Sequence, residues 1–254
     1  MKYIALITGA SSGIGREFVR QIAAAYPSLQ ELWLLARNVP AMENLQKACP
    51  GIHFCILAMD LTDTKVLEEL ALLLKREKPC IRLLVNSAGC GKNGLVAEQD
   101  WRDACRMLDV NCKALTAVTM ICLPYLRRGS RVIQIDSGAA FLPQPGFAVY
   151  AAGKAYVLSF DRALGAELKA AGITVTSVCP GPVDTDFFQR GGITLNPWKR
   201  IALARPERVV RKALFDAEAG RELSVYGCSV KLLRLAAKVL PHRVLVGICK
   251  RLLL

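Results

Sequence analysis

Of the 254 residues, 53% are hydrophobic and 22% charged, the balance of a folded globular chain rather than a disordered or collagen-like one. The 12 prolines and 19 glycines are scattered, so no low-complexity linker or internal repeat divides the chain and one sizeable core is expected. An excess of 34 Lys and Arg over 21 Asp and Glu leaves +13, which favours anionic ligands, whether phosphates, acidic carriers, anionic membranes or nucleic acid, without choosing among them.

Short apolar runs recur at residues 3–7, 32–35, 53–57, 83–85, 132–135 and 175–179, separated by segments of helical periodicity. Strands alternating with helices predict a parallel sheet, and runs that are apolar on successive residues predict strands covered on both faces. The expected fold class is α/β, a doubly wound parallel sheet with helices on both faces, Rossmann-type, in a single domain. The first helix follows a glycine turn and runs to about Ala25. The longest helical stretches are 99–126 and 147–171, the second opening after a Pro-rich turn at 142–146.

Directly after the first strand stands Thr8-Gly9-Ala10-Ser11-Ser12-Gly13-Ile14-Gly15. Glycines there let the backbone turn tightly and approach a pyrophosphate, held by helix N-terminal amides. The GxxxGxG spacing, in place of GxGxxG, resembles that of the short-chain dehydrogenase/reductases. Where NAD-binding proteins commonly carry an acid after the second strand, this chain has Ala36-Arg37-Asn38. A guanidinium pairs with a 2′-phosphate and a carboxylate repels it, so NADP(H) is expected. The resemblance further implies that Asp60 and Leu61 contact the adenine. It matches Asn86-Ser87-Ala88-Gly89 to the family's NNAG segment. Pro180, Gly181, Val183 and Thr185 match the PGxxxT segment beside the nicotinamide.

Tyr150-Ala151-Ala152-Gly153-Lys154 places a phenol and an ammonium four residues apart on one helical face. Reducing a ketone needs a hydride and a proton, and a free phenol near pKa 10 is mismatched to neutral pH. Lys154 is expected to favour the phenolate and bring Tyr150 into range. The resemblance gives Lys154 the nicotinamide ribose, makes Ser137 the orienter of the substrate oxygen, and makes Asn111 the fourth catalytic residue, propping a helix kink and a water relay. Asp136 departs from the frequent Ser-Ser pair and would oppose Lys154 if it faced the site. It is expected to face away along the strand.

Residues 1–228 are expected to form the cofactor-binding and catalytic domain, with a substrate lid at about 186–205 carrying Phe187, Phe188, Ile193, Leu195 and Trp198 among Arg190, Lys199 and Arg200. Phe141, Leu142 and Phe147 would extend an apolar wall, so the substrate is expected to be a lipophilic carbonyl or alcohol: steroid-like, fatty-acyl or aromatic. A 3-oxoacyl thioester reductase is the alternative within enzymes, and an NADP(H)-binding sensor or membrane-associated scaffold the alternative outside them. The family commonly forms dimers or tetramers, so a homodimer or homotetramer is expected. Residues 229–254 are amphipathic and basic, with Lys231, Arg234, Lys238, Arg243, Lys250 and Arg251 and no acid. They suit either a partner subunit or peripheral contact with a membrane. No nucleic-acid module is recognisable. Ten cysteines without a CxxC and without a secretory signal suit a reducing cytoplasm, and with only His53 and His242 no metal site is expected. No stretch reads as a membrane span.

Overall fold

The computed structural model describes residues 2–193 and 203–253. Its strands are β1 (Tyr3–Thr8), β2 (Glu31–Ala36), β3 (His53–Ala58), β4 (Cys80–Asn86), β5 (Leu126–Ile135), β6 (Thr174–Pro180) and β7 (Leu223–Tyr226). They form one parallel sheet in the order β3-β2-β1-β4-β5-β6-β7. The helices are α1 (Gly13–Ala25), α2 (Val39–Ala48), α3 (Thr64–Glu77), α4 (Trp101–Leu108), α5 (Leu115–Cys122), α6 (Ala148–Leu168), α7 (Phe187–Arg190), α8 (Pro206–Glu218), α9 (Cys228–Val239) and α10 (His242–Leu253).

Alternate side chains of each strand feed two cores. Ala5 and Ile7 of β1, Leu32 and Leu34 of β2, and Ile133 of β5 join Phe18 of α1 and Val210 of α8 on one face. Ile4 and Leu6, Trp33 and Leu35, and Val132 join Leu70 of α3, Val118 of α5 and Leu164 of α6 on the other. That double burial is why these strands are apolar on successive residues. In β4 the register shifts between Ile81 and Leu83, so Ile81 and Leu83, two apart in sequence, reach opposite cores.

The structure differs from the sequence expectation at three elements. A seventh strand, β7, pairs with β6 through Ser177–Leu223 to Pro180–Tyr226. The 83–85 strand begins three residues earlier, at Cys80. The long helix at 99–126 is α4 and α5 joined by a π-helical segment, Asp109–Ala114. The stretch Trp101–Tyr125 is long and apolar enough to cross a membrane by length and composition. Its Val118 and Cys122 nevertheless pack into the core beside Leu84, as a layer of the fold. Of the cysteines, Cys80, Cys122 and Cys179 are buried.

Candidate active site

The carboxyl ends of β1, β4, β5 and β6 carry the chemistry, on either side of the point where the strand order reverses between β1 and β4. The glycine turn and the loop after β4 clasp each other there. Thr8 Oγ1 accepts from the backbone N–H of Ser87 at 3.0 Å and of Ala88 at 3.1 Å. Gly9 has φ +65°, and a Cβ on it would lie 2.8 Å from the Ala88 backbone; a Cβ on Gly15 would fall on the Gly9 carbonyl. These approaches require glycine. The α1 N-cap, Ser12, makes no side-chain capping bond, its hydroxyl accepting instead from Arg190 Nη1 at 3.0 Å. The first-turn amides of α1, around Gly13 and Ile14, are a donor set suited to a pyrophosphate, and the lack of a Cβ at Gly9 and Gly15 is what lets the turn close against the loop after β4 and against itself.

Arg37 follows β2, exposed, its Nη1 3.7 Å from Asp60 Oδ2. Burial raises the Asp60 carboxyl, but bonds from Thr62 Oγ1 and N–H and the charge of Arg37 outweigh it and hold Asp60 below the ordinary carboxylate range. Asn38 caps α2 by accepting from the Ala41 N–H at 3.1 Å. Leu61 buries its side chain in the core, so only its backbone is left to meet a ligand. The Asn86 amide donates to Thr119 Oγ1 at 3.0 Å inside the fold, tying β4 to α5. Gly181 packs against Val230, Val183 bridges to Ala204, and Thr185 lies beside Gly13.

Tyr150 is 8% exposed on α6, its ring stacked on Phe147 with centroids 4.3 Å apart and tilted against Phe187 at 5.8 Å. The 3-10 turn Gly138–Phe141 is capped by Ser137, whose Oγ accepts from the Ala139 N–H at 3.1 Å. That turn packs Phe141 against the cluster of Ala140, Leu158, Cys179, Val225 and Val230. Of the lid residues, Phe187 closes over Gly91, and Leu195, Trp198, Lys199 and Arg200 lie outside the described residues.

The electrostatics differ from the expectation too. Burial pushes the Tyr150 phenol well above its usual value; the Ser137 hydroxyl bonded to it pulls down, and the Asp136 carboxyl pushes up. Lys154 Nζ sits 5.8 Å from the Tyr150 ring centroid and donates to the Ile135 carbonyl at 2.7 Å. The ammonium is therefore directed at the end of β5, and desolvation rules the phenol. Asp136 makes no hydrogen bond to Tyr150. It turns beneath α6, where Oδ2 accepts from the Cys179 thiol at 3.7 Å. Burial raises its carboxyl to about 8 against the attraction of Lys154. Asp161, on the same helix as Lys154, is raised by burial to about 7 although Ser177 donates to it at 2.7 Å. Asp136 is expected from the sequence to face away along the strand, whereas Asp161 is not singled out there; its only signal is an acid inside an apolar helix pattern.

Asn111 lies in the π-helical segment and is 1% exposed. Its amide pairs with both backbone groups of Cys90, accepting at 2.9 Å and donating at 2.8 Å. The π turn aims this side chain at the loop after β4, which it staples beside Tyr150. Among the described residues no cluster of three metal-ligating side chains occurs.

A parallel, doubly wound sheet with a glycine cradle at its reversal and a Tyr, Lys, Ser and Asn group at its carboxyl edge defines a Rossmann-type oxidoreductase acting on CH–OH or C=O groups. The family model for short chain dehydrogenase matches residues 3–194, and the chain belongs to that family. A sulfoacetaldehyde reductase of Chromohalobacter salexigens is 34% identical over 186 residues, 71% of this chain and 72% of that protein. A short-chain dehydrogenase from Sphingobium yanoikuyae, solved with NADPH, superposes with a TM-score of 0.79 at 26% identity, covering 94% of this chain and 93% of that one. A Burkholderia phymatum member solved with NAD superposes at 0.81 and 19% identity over 93% of both chains.

Proposed function

We propose that the chain is an NADP(H)-dependent reductase or dehydrogenase for a hydrophobic carbonyl or alcohol. The observation that carries this reading is the buried group of Tyr150, Ser137 and Lys154 with Phe147 and Phe187 around the phenol. Gly9, Ser11, Ser12, Gly13, Ile14 and Gly15 would hold the pyrophosphate, Arg37 and Asn38 the 2′-phosphate, and Asp60, Ala88, Gly89, Pro180, Gly181, Val183 and Thr185 the remainder of the cofactor. That group, when bound, supplies or accepts the hydride.

The chain's own part is proton transfer and orientation. Tyr150 gives its phenolic proton to the developing alkoxide in reduction and takes it in oxidation. The Ser137 hydroxyl, beside that phenol, orients the substrate oxygen. Lys154, anchored on the Ile135 carbonyl beside the phenol, would hold the nicotinamide ribose. Asn111 holds the wall of the site through Cys90, and the two phenylalanines exclude water and select apolar substituents. The aromatic enclosure favours a bulkier apolar substrate over the small sulfonate that the Chromohalobacter relative's name describes.

The test is NADPH oxidation by the purified chain against steroid ketones, aromatic carbonyls, 3-oxoacyl thioesters and sulfoacetaldehyde, with NADH in parallel. Turnover of a hydrophobic ketone with NADPH preferred is expected, with Tyr150→Phe losing roughly 10²–10⁴-fold in kcat while NADPH binding persists. Preference for thioesters would move the substrate to the acyl-carrier class. Preference for sulfoacetaldehyde or for NADH would overturn the substrate or cofactor half of the proposal. NADPH binding without turnover on any substrate would favour a sensor or scaffold.

A further inference from the structure

The helix α9 is apolar on two opposite faces. One face, Val230, Leu233 and Ala237, turns inward; Val230 is 5% exposed, and a Cβ on Gly138 or Gly181 would come within 2.8 or 3.1 Å of its methyls. The other, Leu232, Leu235 and Val239 at helical spacing, is 68%, 59% and 73% exposed. Past the turn at Pro241 the exposed apolar residues continue with Val244 and Ile248 on α10. Flanking cations are Lys231, Lys238, Arg243, Lys250 and Arg251, while Arg234 sits one turn from Val230 with its Nε buried; residues 229–254 contain no acid.

A contiguous outward apolar surface marks an interaction site, because a globular chain gains nothing by leaving it in water. A second copy is a poor occupant. A two-fold interface sets a patch against itself, so the exposed cations of this segment would meet their own images with no carboxylate between them. The segment also has no Phe, Tyr or Trp, the side chains that anchor protein interfaces. Leucine, valine and isoleucine flanked by Lys and Arg fit the boundary between headgroups and acyl chains, where the apolar side chains enter the hydrocarbon and the cations meet phosphate.

We propose that the outward face of α9 and α10 docks the protein onto an anionic lipid bilayer. The inward face of the same helix touches Gly138, next to Ser137, so the docked surface adjoins the substrate side of the site. The proposal concerns binding and does not depend on turnover.

The experiment is co-sedimentation of the full chain with vesicles of phosphatidylcholine alone or mixed with phosphatidylglycerol, at low and high salt. Salt-sensitive pelleting with the mixed vesicles is expected, with little on the neutral ones. The variant L232S/L235S/V239S should lose at least about tenfold in binding, since it removes three insertable side chains. The variant K231E/K238E should lose binding to a similar extent, about tenfold, by reversing two charges that face the lipid phosphates. Both alter exposed side chains, so thermal melting and NADPH binding should be unchanged. A chain that stays in the supernatant with both vesicle types overturns the proposal, as does a triple variant that pellets like the parent. Retention on a polyglutamate matrix without vesicle binding would assign the face to an acidic polypeptide instead. A smaller sedimentation coefficient for the triple variant without vesicle binding would assign it to a second copy.

Discussion

Two carboxyls, Asp136 after β5 and Asp161 on α6, have one oxygen each that is buried and has no hydrogen-bond partner. Each is kept protonated well past the ordinary carboxylate range by desolvation, Asp136 to about 8 and Asp161 to about 7. Because the folded value of Asp136 is raised from 3.8 to about 8, the folded state binds the extra proton and stability is full below about pH 4. It then falls as pH rises toward about 8 and levels off above. Asp136→Asn should flatten this slope and gain on the order of 1–3 kcal/mol at alkaline pH, read by urea unfolding across pH. Parallel pH profiles for parent and variant would refute the assignment. The two acids also show where sequence reasoning stops. The Tyr150, Lys154 and Ser137 spacing located a buried side-chain group, because helix and strand periodicities bring those positions together. Which groups face Asp136 depends on how β6 and α6 cover it, and that is a property of packing. The surroundings of Phe141 and Asn86 were illegible for the same reason: one 3-10 turn packs Phe141 against the Val230 cluster, and one bond ties the Asn86 amide to Thr119.

At the scale of elements, alternating apolar runs made six of the seven strands legible, since strands buried on both faces are conspicuous in sequence. The seventh, β7, escaped because its four residues carry the polar Ser224 inside the pairing and it is itself a short edge strand. The π-helical segment was equally hidden, because one extra residue in a helix leaves the composition unchanged and alters only the direction of the side chains after it. Here the displaced side chain is Asn111, and its two bonds to Cys90 fix the loop between β4 and Tyr150. Asn111→Ala should leave the Cys90 N–H and C=O without those partners, costing about 1–3 kcal/mol in stability. It should also lower kcat more than it raises KM for the carbonyl, since the variant disturbs the position of the catalytic group rather than an apolar substrate wall. Unchanged stability together with an unchanged kcat would mean that the loop is held by other contacts.

Over the whole molecule, the excess charge and the exposed apolar residues are partitioned, and this bears on how copies associate. The basic apolar surface of α9 and α10 repels its own image, whereas a second exposed patch is nearly free of charge. On it Thr116 Oγ1 and the Tyr156 hydroxyl lie 2.9 Å apart, Tyr156 stacks on Phe160 at 6.3 Å, and Met120, one turn beyond Thr116, is 60% exposed. That patch spans α5 and α6, the two helices that cover the same face of the sheet as Lys154, and it contains the aromatic and methionine side chains in which association surfaces are enriched. A homo-oligomer built on α5 and α6 leaves the basic face of every copy exposed, so the two surfaces do not compete. Introducing like charges at the centre of an isologous contact sets them against each other across the two-fold axis. Met120→Glu combined with Tyr156→Glu should therefore shift the sedimentation coefficient from that of a dimer or tetramer to that of a monomer, without altering vesicle binding. If the parent sediments as a monomer, or the double variant keeps the larger species, the association surface lies elsewhere on the fold.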